Sequence, residues 1–139
     1  MPFYQVFYES GLLDQNKKQE LATGITDIHC SNTGAPRFFV NVVLIPFEKG
    51  NGYVGGDPNN TPCLVQGLIR SGRTQEVKTK MLHELSALVA KITELDEKCV
   101  TVGFLEGSAK NALENGMEVP EAGEEIQWME KYGIKVDKQ

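Results

Sequence analysis

One succession of elements occurs twice in this chain, and few folds accommodate it. Phe3-Tyr4-Gln5-Val6-Phe7-Tyr8 is aromatic and β-branched enough to form a strand, which Gly11 breaks. From Asp14, a capping residue, Leu21, Ile25 and Ile28 recur at helical spacing with His29 on the same stripe, so a helix should run to about Cys30–Asn32. Phe38 to Phe47 reads as a mostly buried strand with Pro46 near its end. A stretch rich in Gly and Pro follows through Pro62, with a short extended piece near Tyr53 and Val54.

The order then repeats. Cys63 to Ile69 reads as a strand broken by Gly72, and Thr74 caps a helix whose Val77, Met81, Leu82, Leu85, Leu88, Val89 and Ile92 form a broad apolar face. Cys99 to Leu105 is another buried strand, followed by a polar stretch through Asn115 and Gly116 and one short helix in which Ile126, Trp128 and Met129 can pack. With Pro2 set over Cys63, Gln5 to Gly11 lies over Gln66 to Gly72, and after a one-residue slip Val40-Asn41-Val42 lies over Val100-Thr101-Val102.

The expectation is an α/β fold of two fused β-α-β units, giving a four-stranded main sheet with two helices on one face. Residues 1–139 then form a single domain of pseudo-repeats 2–62 and 63–120 with a C-terminal tail, 121–139. The main strands read as apolar on both sides, so the uncovered sheet face should be buried by further copies of the chain in a closed ring. The alternative is a monomeric, ferredoxin-like domain whose C-terminal helix covers the sheet.

A length of 139 residues is enough for one core without disulfides, and the formal charge of -5 argues against nucleic acid or an anionic membrane as partner. Cys30, Cys63 and Cys99 are odd in number and widely spaced, which fits a reducing, cytoplasmic setting. The start lacks the regions of a signal peptide and no apolar run has spanning length, so the Asn59-Asn60-Thr61 sequon should stay unmodified.

Four kinds of residue can carry chemistry. Met before a small second residue is normally removed, which would give Pro2 a free secondary amine, both base and nucleophile, with a pKa above the roughly 8 of an ordinary α-amine unless burial or cations lower it. Only three arginines exist, yet Arg70 and Arg73 stand within four residues where a strand turns into a helix, an anion seat for one or two small carboxylates. His29, near a helix C-terminus that favours an imidazolium, can donate to the same anion, though a satisfied core histidine fits its position equally. Glu114, one of several acids between Glu106 and Glu125, can orient or deprotonate a water molecule or pair with the arginines. His83 takes no role. The string Gly50-Asn51-Gly52-Tyr53-Val54-Gly55 mimics a dinucleotide fingerprint, but Pro58 and Pro62 follow where a helix would have to open. No spacing supports a metal site.

The conjunction of Met1-Pro2-Phe3-Tyr4, Ile25-Thr26-Asp27-Ile28-His29, Gly67-Leu68-Ile69-Arg70-Ser71-Gly72-Arg73 and Glu114-Asn115-Gly116 before Pro120 resembles the tautomerase superfamily, in its cis-3-chloroacrylic acid dehalogenase-like branch. The resemblance spans about residues 2–130 and implies a homotrimer with an amino-terminal proline in each pocket. It would make Pro2 the general base or acid, His29, Arg70 and Arg73 the binders of a small carboxylate substrate, and Glu114 the activator of water. No cofactor is implied. Gly103 stands where the dehalogenase has a tyrosine that assists hydration, and Phe39 replaces a smaller aliphatic residue. The expected activity is therefore tautomerisation of small 2-oxo or enol acids, with weak hydratase or dehalogenase activity on three-carbon unsaturated acids. Two other readings fit the same pocket: a non-catalytic trimer that binds a carboxylate or a partner protein, and a decarboxylase of small oxo acids.

Overall fold

The computed structural model describes residues 1–135; residues 136–139, the end of the expected tail, lie outside the described residues. Strand β1 (Phe3–Glu9) leads through helix α1 (Gln15–Thr33) to β2 (Asn41–Phe47), and β3 (Cys63–Arg70) leads through α2 (Gln75–Thr93) to β4 (Val100–Gly107). The hairpin β5 (Leu113–Glu114) and β6 (Met117–Glu118) and the short helix α3 (Glu125–Tyr132) complete the chain.

Each helix returns the chain to a parallel partner, β1 beside β2 and β3 beside β4, while β1 and β3 run antiparallel down the middle, giving the order β2-β1-β3-β4. Gln5 lies opposite Gln66, the very residues that the repeat superposes. Both helices run 19 residues and start on a side-chain cap: Asp14 accepts from the Lys17 N–H and Thr74 from the Val77 N–H. Both end in a left-handed residue, Gly34 at φ 73° and Glu94 at φ 63°.

Alternation along the strands sends Tyr4, Val6, Tyr8, Val65 and Ile69 towards the helices, where they bury Leu21, Ile25, Leu85, Val89 and Ile92. Gly24 lets α1 and α2 approach: a Cβ there would lie 2.7 Å from Leu88 Cδ2. The opposite face carries Phe3, Val43, Leu64 and Leu105 exposed among Gln5, Asn41 and Gln66, so it is mixed in character where the sequence pattern implied apolar on both sides.

Three local expectations need correction. Phe38 and Phe39 belong to a 3-10 turn (Arg37–Phe39) before β2, because the fully buried Phe39 ring is claimed by a separate cluster with Trp128 and Met129. Ile126 is 67% exposed, since α3 turns Trp128 and Met129 inward instead. Helix α3 therefore packs beside Phe39, and the exposed apolar side chains of the sheet remain uncovered by it. Among the described residues, no helix is long and apolar enough to cross a membrane.

Candidate active site

The topology gathers one end of every main element. β1 and β2 begin where β3 and β4 finish, α1 ends there and α2 starts there. The chain's amino end, Arg70 and Arg73 where β3 leads into α2, and His29 in the last turns of α1 thus converge from three separate segments.

The amino end itself is buried. Met1 is 4% exposed and Pro2 is among the fully buried side chains, anchored by its carbonyl accepting from the Asn41 N–H at 3.0 Å. The Met1 amine forms an ion pair with Glu114, whose two carboxylate oxygens are buried and accept no other hydrogen bond among the described residues. Glu114 reaches this position because Asn115 at φ 52° and Gly116 at φ 75° make the tight turn between β5 and β6, the left-handed pair that two-residue hairpins prefer. Burial, and then the charge of Arg70, lower the Met1 amine from 8.0 to about 6.

His29 is 3% exposed and shares a 2.8 Å hydrogen bond between Nδ1 and the Tyr4 hydroxyl. Tyr4 can reach it because Gly67 lies opposite on β3, where a Cβ would come within 2.8 Å of the Tyr4 ring. Burial first, and then Arg73 and Arg70, bring the imidazole down from 6.5 to about 3. The sequence-based expectation of an imidazolium is thereby corrected: desolvation and two guanidinium groups outweigh the helix C-terminus. With the Tyr4 hydroxyl donating to Nδ1, the hydrogen sits on Nε2.

The arginine pair is present, but it already holds a carboxylate. Arg70 Nη2 donates to Glu125 Oε1 at 2.7 Å and Arg73 Nη2 donates to the same oxygen at 3.2 Å. Arg70 Nη1 donates to the Pro120 carbonyl at 2.6 Å and Arg73 Nη1 to the Thr33 carbonyl at 2.9 Å. The Arg70 guanidinium also stands 5.7 Å from the centre of the Phe39 ring, which gives the displaced Phe39 a supporting role. Glu125 has no local signal in the sequence, being one acid among many in a polar tail; the pointer is that a buried Arg70 and a half-buried Arg73 need a counter-charge.

The remaining singled-out residues stay apart. Arg37, the third arginine, pairs with Asp27 on the surface, and His83 is exposed. Gly103 lies on the uncovered sheet face with open space where a side chain would project. Among the described residues, no group of three His, Cys, Asp or Glu side chains is set to hold a metal ion.

Comparison with known proteins bears on the family and the fold. A family described as "Putative oxalocrotonate tautomerase enzyme" matches residues 1–132. The crystal structure of N1, a member of the cis-3-chloroacrylic acid dehalogenase family, is 31% identical, with a TM-score of 0.88 over 92% of this chain and 90% of that one. Native Ps01740 is also 31% identical, at a TM-score of 0.77 over 81% of this chain and 99% of its own. A fused 4-OT solved as a symmetric trimer shares the fold, at 24% identity and a TM-score of 0.78 over 87% of this chain and 98% of that one. No curated protein matches the chain. A family match over nearly the full length, joined to a 31%-identical structure aligned almost end to end, makes this protein a member of the tautomerase superfamily, in its cis-3-chloroacrylic acid dehalogenase-like branch.

Proposed function

We propose that the protein, once Met1 is removed, is a cofactor-independent tautomerase of small 2-oxo and enol carboxylic acids in which the Pro2 nitrogen carries the proton. The observation behind this reading is the burial of the chain's own amine against Glu114 and within the field of Arg70. Met1 fills space at the end of the sheet, its amine faces a carboxylate with no other partner among the described residues, and Arg70 is near enough to lower its pKa. Cleavage after Met1 vacates that space and leaves the free amine on Pro2, in the same wall. A secondary amine starts more basic than a primary one, and surroundings that hold the Met1 amine at about 6 would bring Pro2 towards neutrality, where a general base works best.

The mechanism needs no redox partner. Arg70 and Arg73 hold the substrate carboxylate through N–H groups left over from Glu125, Pro120 and Thr33. Neutral Pro2 takes the enol hydroxyl proton and delivers it to C3, so the C2–O bond becomes a carbonyl and the amine is regenerated. The neutral His29 donates from Nε2 to the oxygen where negative charge develops. On a three-carbon unsaturated acid, protonated Pro2 would instead donate to carbon while Glu114 takes a proton from the attacking water. Gly103 supplies no hydroxyl to that second chemistry, so it should be weak.

Three copies would bury the exposed Phe3, Val43, Leu64 and Leu105, and the fused 4-OT of the same fold was solved as a trimer. In this reading, 2–62 and 63–120 are the two pseudo-repeats of each subunit. The test compares wild type with Pro2→Ala for ketonisation of phenylenolpyruvate and hydration of a three-carbon acetylenic acid, with intact mass recording the fate of Met1. Loss of proline should lower kcat/KM by ~10²-fold or more, the range of general acid–base catalysis. Unchanged rates, or full activity in molecules that retain Met1, would remove Pro2 from the mechanism.

A further inference from the structure

A pocket that grips carboxylates through two arginines should accept two carboxylates unless something cancels a charge. Here Glu125 does so from within the chain. Its Oε1 receives Nη2 of both Arg70 and Arg73, and the Nη1 groups of both are committed to the backbone carbonyls of Pro120 and Thr33. Glu125 is 6% exposed and Arg70 is 3% exposed, so water screens this arrangement poorly. On the amine side, Glu114 presents two buried oxygens and pairs with the amino terminus.

We propose that Glu125 sets the charge of this pocket and thereby makes the protein select small monocarboxylates over dicarboxylates. The inference rests on the reading of the arginine pair as the substrate-carboxylate seat, and it deepens that reading by naming the substrate class. Glu125 cancels one of the two charges of Arg70 and Arg73, Glu114 answers the amino terminus, and His29 is neutral, so one positive charge is left for a substrate carboxylate. A monoanion can still use the guanidinium N–H groups that Glu125 leaves free. A dianion must either place its second carboxylate beside Glu114 or compete with Glu125 for the arginine edges already taken. Either position brings like charges together where the local dielectric is low.

The experiment measures dissociation constants of crotonate and fumarate by NMR titration on wild type, Glu125→Gln and Glu125→Asp. The two ligands share a trans four-carbon skeleton and differ by a methyl against a carboxylate. Glu125→Gln keeps the shape and an acceptor but removes one negative charge, so both ligands should bind more tightly and fumarate should gain on the order of ten-fold over crotonate. Glu125→Asp keeps the charge and should leave the ratio within about two-fold of wild type. Trp128 fluorescence, from the same short helix, reports whether α3 stays docked. A purely structural role for Glu125 would weaken both ligands together and leave their ratio unchanged, and that result overturns the proposal, as would an Asp variant that behaves like Gln. A ratio that shifts as expected in a protein whose turnover ignores Pro2→Ala would sink the catalytic reading alone.

Discussion

The neutrality of His29 can be tested through stability, without any substrate. The imidazole titrates at about 3 in the folded protein against 6.5 unfolded, because burial, and then Arg73 and Arg70, oppose its charge. Between those values the unfolded chain binds a proton that the folded chain refuses. Stability should therefore be unaffected by this group well above pH 6.5, and should fall as the pH drops below that value, by up to ~1.4 kcal/mol per pH unit. At pH 5 the loss is ~2 kcal/mol, and by pH 3 it approaches ~4–5 kcal/mol. His29→Gln can still accept from the Tyr4 hydroxyl but cannot titrate. Urea unfolding of both proteins at pH 8, 7, 6 and 5 gives a difference in unfolding free energy that should be flat above pH 7 and shrink by ~2 kcal/mol at pH 5. The amino-terminal amine and Glu125 are common to both proteins and cancel from that difference to first order. Parallel curves would refute the argument: His29 would then be able to ionise in place, and its contribution at the site would be that of a cation instead of a neutral donor.

Gly24→Leu drives a side chain into Leu88, whose Cδ2 is already 2.7 Å from an added Cβ, and should cost ~1–3 kcal/mol in thermal or urea unfolding. Glu94→Gly removes a side chain from a left-handed helix end at φ 63° and should stabilise the protein by ~1 kcal/mol with kcat unchanged. Burial alone would raise the Glu125 carboxyl, but its own backbone N–H and the two arginines outweigh that and hold it below 4.5. The stabilisation it provides is present above the unfolded value and is lost as pH falls through the lower folded one, so acid should undock α3 and shift Trp128 emission, a transition that Glu125→Gln should lack.

The sheet and its two crossover helices were legible because their signals are local and periodic: caps at Asp14 and Thr74, apolar stripes at helical spacing, and strand runs bounded by Gly11 and Gly72. The identity of Gln5 with Gln66 even marks where β1 and β3 face each other. What escaped was decided by tertiary competition. Phe39 is as β-prone as its neighbours, but its ring serves Trp128, Met129 and Arg70, so the chain turns there before β2 starts. The Asn115-Gly116 turn had a readable signal in the dipeptide itself, although its two-residue strands are too short to show a period. The candidate-site residues Pro2, Glu114 and the arginine doublet are singled out by the residues and the family resemblance together, while the charge state of His29 is not. That depends on how deeply Tyr4 and the guanidinium groups enclose it. Glu125 is legible only through its partners, some fifty residues earlier in the chain.

A fold built twice invites the question of why chemistry should be expected at one end of the sheet only. Setting Pro2 over Cys63 also sets Arg70 over Glu9, Arg73 over Leu12 and His29 over Ala90, so the matching positions at the other end hold neither arginine nor histidine. The deeper asymmetry is covalent. Only the start of a chain can offer a proline nitrogen with a free lone pair, whereas any residue at position 63 is locked into an amide on both sides. The thiol found there is no substitute: Cys63 is 0% exposed and burial pushes it up to about 11, which keeps it protonated and out of reach of solvent. Fusing two β-α-β units therefore gives up one of two possible amines. The surviving end is then free to diverge, and the pairing of Arg70 and Arg73 with Glu125 from beyond the second unit is a divergence with no counterpart at the other end.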